Sequence, residues 1–302
     1  MNRYRRSAIF ILVLCLTAAY TLARPTTHTL GWSLAQQIVS TDFDAINPSA
    51  VVDSQGNTHV IWLQNTNGNE TEDLFYTSGN GATWQTPINI SNSPERSFNA
   101  QLAITADDRL VAVWVELELL LGFPIGSRIY YADFTPNNGT GGGVWSSPRS
   151  LSDEFLSVGP PFMAMHNGQI HVVWGSGELI TGYADRIYHA VWGDSGWNAP
   201  QRLPISTGYL DIADIAFDAN GQLHMVWNGN RTSSGDVHND YQIYYTTLQN
   251  GAWTTPVNIS NTAQYSFFPS LAADINGRIH VIWLEHDLGD FGQGAHIFDR
   301  VL

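Results

Sequence analysis

Residues 53–62 read Asp53-Ser54-Gln55-Gly56-Asn57-Thr58-His59-Val60-Ile61-Trp62, which is a tight turn followed by an apolar strand that ends on tryptophan. Related phrases end on a first series of tryptophans: Trp62, Trp114, Trp174, Trp227 and Trp283. A second series opens short strands: Trp32, Trp84, Trp145, Trp197 and Trp253. The interval from each member of the second series to the next member of the first is almost constant along the chain. A regular spacing that occurs five times predicts a repeat architecture.

Each repeat contains the signals of four short strands. The first strand runs into a turn such as Asp53 to Gly56, where glycine and asparagine accept the positive φ of a hairpin. The second strand is the His-Val-x-Trp phrase, the third a run such as Ile243-Tyr244-Tyr245, and the fourth begins at a tryptophan such as Trp253. We expect the turn aspartates to order the turn; calcium binding is the alternative. Four antiparallel strands per repeat are typical of a β-propeller blade.

The two ends of the chain complement each other. The segment from Thr29 to Ser40 has the pattern of a fourth strand with no blade before it, and the chain ends after the third strand at Ile297. Pairing the segment Thr29 to Ser40 with the segment Ala295 to Leu302 closes a ring and removes the open edges. The sequence therefore predicts an all-β, five-bladed β-propeller of four-stranded antiparallel blades. It forms a single domain over residues 24–302, and the N-terminal strand completes the last blade.

Residues 1–23 have the pattern of an export signal. Three arginines, Arg3, Arg5 and Arg6, precede an uncharged run over residues 7–23. This pattern predicts a cleaved signal peptide over residues 1–23, with an uncleaved anchor that associates with the membrane through residues 7–23 as the alternative. In both cases we expect an extracytoplasmic protein that is secreted or anchored.

Composition narrows the range of partners. The chain has 13 basic residues, all arginine, against 27 acids, and its net charge is −14. Such a surface repels phosphate backbones, so nucleic acid is not an expected partner. Four histidines at matching positions, His59, His171, His224 and His280, are interpreted as hydrogen-bonded side chains between sheets rather than a metal ring. We predict a monomer with no metal site and no cofactor; structural calcium stays open but is not indicated.

The loops after the second and fourth strands of each repeat share one face, and these loops are long, as binding loops often are. Two sets of equivalent positions on this face carry different residue types in different repeats. Members of the first set precede the first strand or lie at its start, and members of the second set lie two residues after the first-series tryptophan. These positions supply the predicted ligand-binding residues: Asp44, Arg96, Tyr209, Tyr265, Gln64, Glu116 and Glu285. Carboxylate, guanidinium and tyrosine side chains in one mouth suit a carbohydrate. The alternative is that these positions vary because nothing constrains them.

Catalysis by glycoside hydrolysis requires two carboxyl groups about 5 to 9.5 Å apart. Weak candidates are Asp44, Glu116, Asp211 and Glu285, and Asp153, Glu154 and Asp214 are further acids of these loops.

On the same face, residues 117–125 are unusually apolar. We expect this loop to plug the mouth of the ring; the alternative is an exposed patch for a partner or a bilayer.

The repeated phrases, including Gly-x-Trp-x-x-Pro-x-Asn-Ile-Ser, resemble the BNR or sialidase-like propeller superfamily over residues 29–302. The nearest match to its Asp box is Ser78-Gly79-Asn80-Gly81-Ala82-Thr83-Trp84, which is one residue short and has asparagine for aspartate. The resemblance implies the fold. The three arginines and the tyrosine nucleophile of sialidases are not matched, since Arg96 is the sole arginine in a suitable position.

Taken together, these features predict a non-catalytic propeller that binds carbohydrate or a protein partner through its long-loop face. One alternative is a glycoside hydrolase, either sialidase-like or of the five-bladed arabinanase type. A second alternative is a cell-surface scaffold for protein assembly.

Overall fold

The computed structural model describes residues 34–66, 68, 71–121, 123–137, 142–152, 157–177, 184–204, 210–230, 241–286 and 296–302. The chain divides into two units, Met1–Ile38 and Val39–Leu302, and all described strands belong to the second. The predicted signal segment, Trp32, Asp153, Glu154, Tyr209 and the side chain of Asp211 lie outside the described residues. Within the described ranges, no helix has the length and apolarity needed to cross a membrane.

The described strands form five antiparallel sheets, which we number as blades 1 to 5 in chain order. Blade 1 contains β1 (Ala45–Val52), β2 (Thr58–Asn65), β3 (Glu72–Gly79) and β4 (Ile88–Asn89). Blade 2 contains β5 (Ser97–Ile104), β6 (Leu110–Leu120), β7 (Phe123–Pro136), β8 (Gly143–Trp145) and β9 (Arg149–Ser150). Blade 3 contains β10 (Ser157–Val158), β11 (Phe162–His166), β12 (Gln169–Gly177), β13 (Arg186–Gly193), β14 (Gly196–Trp197) and β15 (Gln201–Arg202). Blade 4 contains β16 (Leu210–Phe217), β17 (Leu223–Asn230), β18 (Tyr241–Gln249), β19 (Ala252–Trp253) and β20 (Val257–Asn258). Blade 5 contains β21 (Tyr265–Ala273), β22 (Ile279–His286) and β23 (His296–Val301).

The second strands of blades 1 to 4 are packed on both faces, whereas β22 of blade 5 is buried mainly on one face. Ile61 and Leu63 of β2 pack against Ala112 and Trp114 of β6, and the other face of β6 packs against blade 3 through Val113. The first-series tryptophans Trp114, Trp174 and Trp227 are fully buried. Successive antiparallel sheets joined by such cores have the arrangement of β-propeller blades, so the all-β prediction of five repeated sheets is confirmed.

Side chains also link the first strands of neighbouring blades. Three side chains at equivalent positions of their first strands accept a hydrogen bond from a backbone N–H of the next blade. These bonds are Leu102 N to Ser49 Oγ (3.2 Å), Met163 N to Gln101 Oε1 (3.0 Å) and Leu271 N to Asp214 Oδ2 (2.9 Å). Asp214, an acid of the predicted mouth, therefore holds blades 4 and 5 together.

The turn aspartates act as predicted. Oδ1 of Asp53 accepts bonds from the backbone N–H groups of Gln55 (2.9 Å) and Asn57 (2.7 Å), and Gly56 has a φ of 83°. Asp218 and Asp274 make the equivalent bonds in blades 4 and 5. Each of these carboxylates is occupied by its own turn.

The matching histidines make the hydrogen bonds that the sequence led us to expect. Nδ1 of His59 lies 2.7 Å from the hydroxyl of Tyr76, and its Nε2 lies 3.3 Å from Oδ2 of Asp53. His224 bonds to Tyr245 (2.6 Å), and His280 contacts Asp274 (3.4 Å). In blade 3 the partner is a second histidine, because Nδ1 of His171 lies 3.0 Å from Nε2 of His189.

The outer strands are short and anchored by one buried residue each. The anchors stand six residues after a second-series tryptophan, and their N–H groups bond to the third strand at 2.7 or 2.8 Å: Ile90, Leu151, Leu203 and Ile259. Blade 5 has three strands among the described residues, and residues 34–40 are in no strand. The predicted closure of the ring is therefore not shown and stays a prediction.

The apolar segment 117–125 differs from the expected plug. It forms the end of a long hairpin, in which β6 and β7 continue past the other strands and turn at Leu121. The tip residues Leu120, Leu121 and Phe123 are exposed. The plug interpretation is wrong for this tip, since its side chains lie exposed at the end of a paired hairpin instead of packing against a core.

Candidate functional site

Three predicted site residues share one local role. Gln64, Glu116 and Glu285 lie two residues after Trp62, Trp114 and Trp283 on their strands, and each accepts a hydrogen bond from the indole Nε1. The three bonds measure 3.0, 2.8 and 2.9 Å. Strand alternation explains the contact, because residues i and i+2 point to the same face. These side chains satisfy the buried indoles, and blade 1 shows that a neutral amide is sufficient for that.

The carboxyl group of Glu116 is buried and makes contacts beyond its bond to the indole of Trp114. Its Oε2 also accepts a 2.8 Å bond from Oγ of Ser97, its Oε1 is buried, and the side chain of Ser93 hydrogen-bonds to the same carboxyl group. The residue is only 5% exposed. Burial raises the pKa of the Glu116 carboxyl, and the nearby polar groups of Ser93, Trp114 and Ser97 oppose that rise without cancelling it.

A second carboxylate follows on the same face of β6. Glu118 lies two residues beyond Glu116, and its Oε1 is 3.3 Å from both the Nε of Arg128 and the hydroxyl of Tyr130. Arg128 and Tyr130 lie on β7, directly opposite Glu116 and Trp114 in the strand register. Burial, together with the charge of Glu118, raises the pKa of the Tyr130 hydroxyl. Two acids, a cation and a phenol therefore meet on one surface of blade 2.

This surface lines a cavity of about 380 Å³. One wall is the connection from blade 1, which contributes Ser93 and Glu95, and the other wall is formed by Glu116, Glu118 and Tyr130. The volume lies within the range usual for small-molecule pockets. The cavity combines acids, hydroxyls and aromatic faces, the groups that bind sugar hydroxyls and sugar ring faces.

A neighbouring cavity of about 330 Å³ contains Arg96. Its Nε donates a 2.5 Å bond to Oε2 of Glu72, forming an ion pair between blades 1 and 2. The first strands contribute Asn47 and Asn99 to the same lining, and Leu117 lines both cavities. Arg96 therefore lies in a cavity between blades 1 and 2, and its guanidinium is already paired with Glu72.

The remaining predicted residues occupy different settings. Asp44 is exposed just before β1, and its carbonyl accepts a 3.3 Å bond from the N–H of Asn65. Tyr265 is buried, with its ring centroid 6.1 Å from that of Phe267. Glu285 is buried and also bonds to Ser266 at 3.4 Å. The structure thus brings Glu116 and Arg96 to adjoining cavities and places Tyr265 in packing.

Sequence reasoning missed Glu118, Arg128 and Tyr130. The signal for Glu118 was present, because Glu116 and Glu118 are two residues apart in a strand and must share a face. Segment 117–125 was interpreted as a loop, so strand alternation was not carried past Val115. Recognising that β6 extends to Leu120 would have placed both acids together.

Several solved structures of carbohydrate-active enzymes have a similar fold. An α-L-arabinanase of Penicillium chrysogenum, complexed with arabinobiose, is 13% identical with a TM-score of 0.54, over 83% of this chain and 81% of that chain. An α-L-arabinofuranosidase of Fusarium graminearum with arabinobiose is 12% identical with a TM-score of 0.52, over 86% and 83%. An ulvan lyase is 14% identical with a TM-score of 0.50, over 84% of this chain and 68% of that chain. At these identities the similarity is one of fold alone.

No family model matches the chain, and no curated protein matches it by sequence. The β-propeller resemblance is therefore supported at the level of the fold, and the specific BNR or sialidase-like resemblance stays a prediction.

Proposed function

We propose that this protein is a glycoside hydrolase, the alternative that the sequence left open, with Glu116 as general acid and Glu118 as the second carboxylate. The observation that carries the proposal is the pairing of a buried carboxyl of raised pKa with a second carboxylate on one cavity wall. Glycosidases typically need one protonated and one ionised carboxyl group flanking the scissile bond.

Glu116 suits the acid role. Its raised pKa keeps a larger share of the carboxyl protonated towards neutral pH, and the residue is almost fully buried. The indole of Trp114 and the hydroxyl of Ser97 both hold Oε2, which fixes the orientation of the carboxyl group. The proton then passes from Glu116 to the glycosidic oxygen as the bond to the anomeric carbon breaks.

Glu118 suits the second role. Arg128 and Tyr130 both contact its Oε1, so Oε2 is the oxygen that would approach the sugar or activate a water molecule. Residues i and i+2 of a strand have Cα atoms about 6.6 to 6.8 Å apart. Side chains that leave the strand in parallel keep their carboxyl groups at a comparable separation, and glycosidases place theirs roughly 5 to 9.5 Å apart.

The substrate class follows from the cavity and the similar folds. A pocket of about 380 Å³ accommodates one or two sugar rings. Arabinobiose is bound in two of the similar structures, so arabinose-containing glycans are the first substrates to test. We further propose that the protein reaches such glycans outside the cell, secreted or anchored through residues 1–23.

The decisive experiment compares two glutamates with the same indole bond. Glu116→Gln and Glu285→Gln each introduce the residue that blade 1 carries at Gln64, so both variants keep the cap on their tryptophan. Activity is measured on arabinan and on a panel of aryl glycosides. We expect Glu116→Gln to lower kcat by about 10² to 10⁴-fold, as for loss of a general acid, and Glu285→Gln to retain activity. Full activity in Glu116→Gln would contradict the assignment.

A non-catalytic carbohydrate binder, the first prediction from the sequence, is the competing function. One observation favours it: Gln64 makes the same indole contact as Glu116, although an amide cannot act as a general acid. Wild-type protein that binds a polysaccharide without releasing reducing ends would support it. In that case the same cavity is a binding site, and Glu116→Gln leaves affinity little changed.

A further inference from the structure

The first strands of blades 1, 2 and 5 share a backbone irregularity. Each contains a β-bulge, and one residue of each bulge stands at the same place relative to its first-series tryptophan. The backbone of these residues lies in the left-handed region of φ/ψ space: Asn47 (φ 51°), Asn99 (φ 52°) and Phe268 (φ 53°). Asparagine tolerates this conformation, whereas a bulky aromatic residue rarely adopts it. Blade 5 therefore holds a phenylalanine where its backbone is strained.

The side chain of Phe268 is also unfavourably placed for stability. It is 57% exposed, although its neighbour Phe267 is partly buried with a ring centroid 6.2 Å away. A single exposed apolar side chain is common and needs no explanation. The combination with a strained backbone is less common, because such strain persists mainly where function requires it.

The position of the bulge points to the long-loop face. Asn47 and Asn99, its equivalents in blades 1 and 2, line the cavity that contains Arg96 and Glu72. The blades repeat the same strand register around the bulge, so Phe268 occupies the corresponding level of blade 5. Bulges often re-aim side chains beside active sites.

We infer that Phe268 is a stacking platform for a sugar ring of the glycan, an inference that rests on the proposed function. The face of an aromatic ring is electronegative and attracts the C–H hydrogens of a sugar face. A cluster behind it supports the platform: the ring of Phe267 lies 5.0 Å from Tyr241 and 6.3 Å from His286. Phe268 is thus a specificity-determining residue held on a rigid strand, at a distance in sequence from Glu116.

The test uses Phe268→Asn, which introduces the residue of blade 1, where Asn47 also precedes a proline. Relief of strain should raise Tm by about 2 to 4 °C. Loss of stacking should weaken retention by soluble arabinan in affinity electrophoresis about 5- to 10-fold. Phe268→Trp, which keeps an aromatic face, should retain binding. A variant that is more stable and binds less well cannot be explained by misfolding.

The matched control is Ile275→Asn. Ile275 is 93% exposed in the turn between β21 and β22, at the opposite end of the same hairpin, so its loss should leave arabinan retention unchanged. Equal retention of wild-type and Phe268→Asn protein overturns the platform, and the proposed hydrolase stands if Glu116→Gln is still inactive. If wild-type protein neither binds nor cleaves any polysaccharide of the panel, both the platform and the hydrolase are overturned.

Discussion

The indole Nε1 of Trp114 donates a 2.8 Å hydrogen bond to Oε2 of Glu116, two residues further along the same strand. The equivalent bond in blade 1 goes to the amide of Gln64. Indole capping therefore does not require an acid, and the carboxyl of Glu116 brings a proton that the structural role does not use. Glutamine is nearly isosteric with glutamate. The Glu116→Gln exchange therefore keeps the hydrogen bond to the indole and removes the acidic proton.

Glu116→Gln is expected to stabilise the protein at neutral pH. The pKa of Glu116 is raised above its ordinary value of 4.5, so the folded state binds this proton more tightly than the unfolded state. The resulting stability is fully present below pH 4.5 and is lost as the pH rises through the folded pKa. The Tm of Glu116→Gln should therefore exceed that of the wild type at pH 7 to 8, and the difference should shrink below pH 4.5. A constant difference across this range would contradict the raised pKa.

The histidine pair of blade 3 should make the protein acid-sensitive. Burial lowers the pKa of His171 to about 4 and that of His189 to about 3, from an ordinary value of 6.5. Their contribution is present above pH 6.5 and is lost as the pH falls towards the folded values, by about 1.4 kcal/mol per pH unit for each histidine. His189→Tyr recreates the histidine–tyrosine pair of blades 1 and 4. Denaturant titrations between pH 6.5 and 4 should show a shallower loss of stability in this variant.

Ring closure can be tested at Ile38. It stands six residues after Trp32, the spacing at which Ile90 and Ile259 anchor their fourth strands. If it anchors the last blade through the carbonyl of Ile297, Ile38→Ala should cost about 2 to 4 kcal/mol, as Ile259→Ala should. Val257→Ala is the control, because Val257 is exposed on β20 and should change stability little. An Ile38→Ala variant as stable as the wild type would argue against closure.

The hairpin tip should contribute little to stability. Leu120 and Leu121 are exposed, so replacing both with serine should change the free energy of unfolding by no more than about 0.5 kcal/mol per site. Leu110→Ser on the same hairpin is the contrasting variant, since Leu110 is fully buried and its loss should be strongly destabilising. Chemical denaturation of the three proteins checks this. A large loss of unfolding free energy in the tip variant would favour the plug interpretation instead.

Much of the fold could be predicted because its signals are local and repeated. The tryptophan spacing defined the blades, and Asp53 with Gly56 defined a turn whose backbone N–H groups bond to the carboxylate of Asp53 itself. The face assignment of His59 and Ile61 followed from strand alternation alone. The hairpin of β6 and β7 was missed, because its apolar residues resemble those of a buried loop and only strand pairing distinguishes the two.

The site was less predictable, because its properties come from contacts between distant segments. Sequence placed Glu116 and Arg96 in the long-loop region, but a wall from blade 1 is what buries the carboxyl of Glu116 beside Ser93 and raises its pKa. The pairing of Arg96 with Glu72 likewise joins residues of two blades.

The sequence by itself determined the period, the strand order and the turns, since these depend on residues a few positions apart. Only the tertiary structure decided which carboxyl is desolvated, which is paired, and which aromatic ring is left in solvent. Desolvation and pairing depend on what the neighbouring blade brings within a few ångströms, and no spacing along the chain encodes that distance.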